Sequence, residues 1–149
     1  MRHLVILRLI AAGKSLVALQ GSDGPRKLKT QSMAFLQIFN FDEKSDPNDK
    51  IRILIPSALA IDQMDETLRW LQLIPNEKYV IRRIISLRML TDPRTDRPLY
   101  TWKKIALLIN ANHRATAYWF NCGIDIILAE LIKINIRQGK NNTFIIPPL

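Results

Sequence analysis

The sequence predicts a mainly α-helical, compact domain that ends in a helix-turn-helix and has room for one short extended segment. Three observations lead to this fold class. Apolar residues recur at helical spacing in several stretches. Proline and asparagine stand where helices would begin. Glycine, with 5 residues, and proline, with 8, are too few for a fibrous or disordered chain of 149 residues.

The first helix is predicted over residues 3–20. Its apolar side consists of five residues at helical spacing: Val5, Leu9, Ala12, Leu16 and Leu19. Arg8 and Lys14 are expected to lie away from that side. The same two charges, and the poor cleavage site that follows, argue against a signal peptide or a membrane span. A run of glycine, serine, aspartate and proline at 21–25 is predicted to end the helix.

Residues 26–55 combine short segments of different character. A basic linker at 26–30 leads to an apolar stretch at 31–41, which fits a short helix as well as a strand. A polar loop at 42–50 follows, and the largely β-branched residues 51–55 are either extended or a simple connector. We treat residues 1–55 as an N-terminal helical and irregular segment that packs on the core.

Two helices are predicted next, over residues 56–74 and 75–90, each opened by a proline that suits a first turn. The apolar side of the first consists of Ile61, Met64, Leu68 and Leu71. The apolar side of the second consists of Val80, Ile84 and Leu87, with Ile81 beside them. The outer face of the second carries Lys78, Arg82, Arg83 and Arg88. Acidic residues near the start of the first helix are expected on a solvated face, where the helix dipole favours them: Asp62, Asp65 and Glu66.

The C-terminal part is predicted to contain a loop, two helices and a tail. Residues 91–99 have two prolines and alternating charge, which is typical of a loop. Helices follow over 101–109 and 112–134, so that 56–134 forms a helix-turn-helix domain. The polar residues 135–149 are predicted to be a mobile tail.

Residues 101–131 meet the three requirements of a helix-turn-helix. The first helix presents the apolar residues Trp102, Ile105 and Ile109, with Ala106 as the small residue at the crossing point. Asn110 tolerates the left-handed backbone of the turn, and Asn112 can cap the second helix. Any two packed helices with a tight turn could show the same pattern.

The second helix separates into two sides at 3.6 residues per turn. Four residues are predicted to face the core: Thr116, Trp119, Gly123 and Ile127. The predicted DNA-binding residues are Lys103, Lys104, Asn112, His113, Arg114, Ala117, Tyr118 and Asn121. Arg114 suits guanine and Asn121 suits adenine, whereas the two lysines suit phosphates.

A family resemblance rests on these same residues. The turn Ile109–Asn112 with Ala115, Thr116 and Trp119 resembles the helix-turn-helix of region 4 of bacterial sigma factors. The stretches 61–71, 102–106 and 119–127 look like an uncharacterised sigma-factor-like family from phage, prophage and gene-transfer-agent contexts. That resemblance implies regulation of phage-like genes, alone or with RNA polymerase. Asn110 stands where glycine is usual, and Thr116 stands where a branched aliphatic residue is expected.

Charge and composition favour a cytoplasmic protein that binds double-stranded DNA over an enzyme. The 22 basic and 13 acidic residues give a net charge of +9, which draws the chain to polyanions. With two distant histidines and one cysteine, Cys122, we expect no catalytic site, no metal site and no cofactor. No membrane partner is expected either. Two alternatives stay open. One is a protein-interaction module that docks on RNA polymerase or a partner activator, with Phe35, Phe39 and Phe41 in its docking surface. The other is a small DNA-packaging subunit.

Overall fold

The computed structural model describes residues 1–20 and 56–137, and within them it is mainly helical. Helix α1 spans Arg2–Gln20, α2 spans Ala58–Trp70, and a 3-10 turn, Leu71–Leu73, continues α2. A second 3-10 turn, Asn76–Lys78, leads into α3, Tyr79–Met89. Helices α4, Trp102–Ile109, and α5, His113–Arg137, complete the order. These bounds confirm the predicted mainly α-helical class. The expectations for residues 21–55, and for the tail beyond 137, lie outside the described residues.

Helix α1 occupies the middle of the fold. It packs against α2, α3 and α5. All five residues of its predicted apolar side are buried: Val5, Leu9, Ala12, Leu16 and Leu19. Arg8 is buried as well, with 3% of its surface exposed, so the expectation that it lies away from the core was wrong. The reason is tertiary: a helix with neighbours on several sides buries more than one stripe.

Helix α2 begins with a side-chain cap, since Ser57 Oγ accepts the backbone N–H of Ala60 at 3.2 Å. Its predicted apolar side is confirmed, with Met64 and Leu68 buried. Asp62 and Glu66 are exposed as expected, but Asp65 is only 4% exposed, which corrects its predicted place on the solvated face. The carboxylate of Asp65 belongs to the buried side of a helix that packs on α1.

The loop between α3 and α4 is closed by backbone hydrogen bonds. Leu99 N–H donates to the Leu90 carbonyl at 2.9 Å, and Thr91 and Pro98 form an isolated antiparallel bridge. No named strand occurs in residues 1–20 and 56–137. Lys14 Nζ lies 2.6 Å from Asp96 Oδ1, which attaches the loop to α1.

Two apolar clusters hold the helices together. The larger joins α1, α2, α3 and α5, and its α5 members are Ile124 and Ile127. The smaller fixes α4 to α3 through Ile84, Leu87 and Ile105, with Trp119 and Phe120 of α5 packed against it. Helix α4 is therefore held mainly by its contacts with α3 and α5.

Helix α5 has 25 residues and is about 37 Å long at 1.5 Å per residue. It continues to Arg137, so the predicted start of a mobile tail at Asn135 was wrong. Asn135 can end a helix, but here it lies within α5. By length and composition alone, α5 could cross a membrane. A core helix has the same composition, and Gly123, Ile124 and Ile127 are buried within the fold.

Candidate nucleic-acid interface

The first helix of the candidate helix-turn-helix is α4. Its N-terminus is capped by Thr101, whose Oγ1 accepts the Lys104 N–H at 3.3 Å. Ile105 and Ala106 are buried, and Trp102 and Ile109 are half-buried beside them. The small Ala106 therefore occupies the inner side of α4, as its sequence position predicts.

The turn after α4 depends on Asn110, whose backbone is left-handed with φ 55° and ψ 50°. Its N–H donates to the carbonyls of Ala106 and Leu107, and Ala111 N–H donates to Ala106 at 2.9 Å. These bonds satisfy carbonyls that the end of a helix otherwise leaves open. Asparagine accepts this conformation more readily than most residues do, so the absence of the usual glycine is accommodated.

Helix α5 starts on a cap supplied by Asn112. The Asn112 Oδ1 accepts the backbone N–H of Arg114 at 2.9 Å. Thr116 donates both its N–H and its hydroxyl to the Asn112 carbonyl, each at 2.9 Å. Thr116 is fully buried, and its hydroxyl is satisfied inside the helix. A threonine in place of a branched aliphatic residue therefore leaves no buried polar atom open here.

The first half of α5 has one buried and one exposed side. Thr116 and Gly123 are buried and Trp119 is half-buried, as predicted for the core side. A Cβ atom on Gly123 would lie 2.5 Å from side-chain atoms of Ile81 and Ile85, so this position brings α5 close to α3. The opposite side is exposed and consists of His113, Arg114, Tyr118 and Asn121, with the half-buried Ala117 beside them. We call these five residues the exposed face of α5.

Side chains on the exposed face differ in how free they are. The Arg114 guanidinium has no partner among the described residues. Asn121 donates one amide hydrogen to the Ala117 carbonyl at 3.2 Å, which leaves its second hydrogen and its oxygen available. A hydrogen bond and charge interaction with Cys122 raise the pKa of Tyr118 above its usual value. Asn112, by contrast, uses its side-chain oxygen as the cap.

The basic residues around the two helices divide into free and engaged groups. Lys103 and Lys104 are exposed at the start of α4, and the Lys104 ammonium lies 4.8 Å from the centre of the Tyr100 ring. Arg83 is exposed on α3. Arg82 bonds the Ile74 carbonyl and Asn76 Oδ1, so it holds the start of α3 instead of pointing to solvent.

Arg88 is a further charged residue whose position differs from the sequence-based prediction. Its predicted position was the outer face of α3, but it is half-buried, and burial lowers its pKa. The guanidinium lies 4.4 Å from the centre of the Trp102 ring and donates to the Tyr100 carbonyl at 3.0 Å. Arg88 therefore joins α3 to the start of α4.

The local charge around the exposed face is positive. Residues 97–124 contain no aspartate or glutamate but include Arg97, Lys103, Lys104 and Arg114. These four cations attract phosphate groups over several ångströms, and the attraction weakens as salt is added. The next acidic residue, Asp125, lies one turn beyond Asn121 and is paired with Arg2. Within the described residues there is no group of three or more histidine, cysteine or acidic residues that could hold a metal ion.

Comparison with known proteins adds no family to this picture. No protein-family model, no curated protein and no solved structure matches the chain.

Proposed function

We propose that this chain is a DNA-binding transcriptional regulator that places the first half of α5 in the major groove. The observation that carries the proposal is the exposed face of α5, which follows a left-handed turn and an asparagine cap. A recognition helix contacts base edges with its N-terminal residues, and His113, Arg114, Tyr118 and Asn121 are exposed in that half of α5.

Each proposed contact follows from a side chain's chemistry. Arg114 is free to donate two parallel hydrogen bonds to guanine, and Asn121 retains the donor and acceptor that adenine needs. The small Ala117 between them lets a base edge or a thymine methyl approach. Sugar and phosphate contacts fall to His113 and Tyr118.

Phosphate contacts away from the exposed face are assigned to Lys103 and Lys104, which stand at the N-terminus of α4. Arg83 is a further phosphate contact, whereas Arg82 is already engaged in the fold. The resemblance to a sigma-factor-like family supports a role at promoters of phage-like genes, in the cytoplasm and alone or beside RNA polymerase.

Selection of duplexes from a random library by the full chain tests the proposal. We expect an enriched motif, and Arg114→Ala should weaken binding to it by about 1–3 kcal/mol while relaxing one position. Arg137→Ala is the matched control, because it removes the same exposed side chain about 35 Å away along the same helix. It should leave both affinity and motif unchanged.

Salt dependence separates phosphate contacts from base contacts. Lys104→Ala should weaken binding to all duplexes alike and reduce the slope of log K against log salt by about 0.9. Equal effects of Arg114→Ala and Arg137→Ala, or no enriched motif with the wild-type chain, would refute sequence-selective reading by α5.

A second candidate is a module that docks on another protein, such as an RNA polymerase subunit or a partner activator. The observation that favours it is Leu107, which is 82% exposed, next to Leu108, which is 45% exposed. Both leucines follow Lys103 and Lys104 by four residues, so two cations and two leucines lie on one face of α4. That face fits an acidic, amphipathic partner segment.

Capture of polymerase subunits by the full chain tests this second candidate. Leu107→Ser should abolish capture but preserve duplex binding. Leu59→Ser is the matched control, since Leu59 is 67% exposed on α2. If Leu107→Ser and Leu59→Ser capture the same subunits equally, the docking role of α4 is wrong.

A further inference from the structure

A cavity of about 230 Å³ lies between α1, the loop after α3 and the start of α4. Apolar side chains form most of its wall, among them Ile6 and Ile10 of α1. Trp102 and Phe120 close the other side, with their ring centres 5.4 Å apart in an edge-to-face arrangement. The cavity therefore adjoins both helices of the candidate DNA-binding motif.

Two charged side chains line this apolar space, and only one is neutralised within the described part of the chain. Asp96 is paired with Lys14 at 2.6 Å. Arg88 has no carboxylate partner among the described residues, and only its bond to the Tyr100 carbonyl uses any of its five N–H donors. Burial of this cation is reflected in its lowered pKa. A half-buried guanidinium without a counter-charge is a strong site for an anion, and its planar fork matches a carboxylate.

We propose that this cavity binds a small amphipathic carboxylate, with its ring or branched chain among the apolar residues and its carboxylate on Arg88. The size is adequate, because an apolar cavity of about 150 Å³ holds benzene and the larger space admits a ring with a short acidic arm. The Asp96 carboxylate does not oppose the ligand strongly, since Lys14 cancels its charge.

The ligand would also influence α4 and α5. Arg88 stacks on Trp102, the first residue of α4, and Phe120 lies on α5 one residue before Asn121. A carboxylate drawn to Arg88 competes with its contacts to Tyr100 and Trp102, which set the position of α4. This coupling to DNA rests on the proposed function, whereas binding itself does not.

Matched pairs of acids and neutral amides test the site: benzoate with benzamide and phenylacetate with phenylacetamide. Binding to the full chain is followed by shifts of backbone amide and tryptophan indole signals in nuclear magnetic resonance spectra. We expect each acid to bind at least tenfold more tightly than its amide, with the largest shifts at Ile6, Ile10 and Trp102.

Two variants locate the contacts. Arg88→Met should remove the preference for the acid while weak binding of the amide persists. Arg69→Met, which changes an exposed arginine on α2 outside the cavity, should retain the preference. If Arg88→Met fails to fold, Ile10→Trp provides the test, because an indole would fill the space and should abolish binding of both members of each pair.

Equal affinity for acids and amides, or shifts centred away from the cavity, would overturn the proposed site. Duplex binding measured with and without phenylacetate is a separate readout. A change in DNA affinity that disappears in Arg88→Met supports coupling, and an unchanged affinity despite ligand binding refutes coupling alone. Loss of duplex binding in every condition would instead count against the DNA-binding role and leave the cavity result standing.

Discussion

Alanine at position 13 would place a methyl group against the backbone of α3. Gly13 is buried on α1, and a Cβ atom there would lie 2.6 Å from the carbonyl carbon of Met89 and closer still to its oxygen. Carbon atoms in contact are normally about 3.5–4.0 Å apart. Because the obstacle is main chain at the end of α3, it cannot be relieved by rotating a side chain. One helix must move by about 1 Å.

The expected cost follows from these distances. Overpacking a core costs about 1–3 kcal/mol, and a backbone obstacle belongs at the upper end of that range. Alanine regains about 1 kcal/mol over glycine inside a helix. We therefore expect Gly13→Ala to lower the free energy of unfolding by about 2 kcal/mol and the melting temperature by about 6 °C.

Urea and thermal unfolding followed by circular dichroism measure this effect. Gly123→Ala is the graded comparison, because its methyl group would meet only side-chain atoms of Ile81 and Ile85, which can move. It should cost about 1 kcal/mol or less. A Gly13→Ala chain as stable as the wild type would refute the close crossing of α1 over the end of α3.

Three further predictions concern individual side chains. Asn110→Ala should lower the free energy of unfolding by about 1–2 kcal/mol, whereas Asn110→Gly should stay within about 0.5 kcal/mol of wild type, because the backbone there is left-handed. Equal losses of unfolding free energy for the two variants in urea would contradict this. Arg8→Met and Asp65→Asn should have effects on the free energy of unfolding that are non-additive by about 1–3 kcal/mol in a double-mutant cycle. The reason is that a buried cation on α1 requires an opposite charge, and α2 buries a carboxylate. Additive effects would exclude coupling between the two residues. Cys122→Ala should lower the pKa of Tyr118 toward its usual value near 10, and an unchanged titration of its ring carbon signals would disprove the interaction.

The spacing of apolar residues was sufficient to predict the helices and the sides they bury. In α5, a period of 3.6 residues separated Thr116 and Gly123 from Arg114 and Tyr118, and burial follows that division. The turn was also predictable, because few residue types tolerate a left-handed backbone or cap a helix as Asn110 and Asn112 do. Such features depend on residues that are adjacent in the chain, so they can be recognised from the sequence alone.

Features that depend on several neighbours were not predictable in the same way. Arg8, Asp65 and Arg88 are charged, and periodicity along one helix assigns charged residues to solvent. Their burial follows from the number of helices around each one, which no single stretch of sequence reveals. Gly13 gave no signal either, because a glycine at a helix crossing looks like any other glycine within a helix.

Helix α5 supplies core residues from its middle and exposed residues from its first half. Its middle packs against α1 and α3 through Ile124 and Ile127, and these contacts fix the direction of its first half. The direction in which Arg114 and Tyr118 point is thus set by residues such as Ile124 and Ile127, which lie in the core and not on the exposed face. Under the proposed function, DNA selectivity can therefore change by exchange of exposed side chains with little effect on folding, whereas the angle at which α5 approaches a duplex changes only if the interior is repacked.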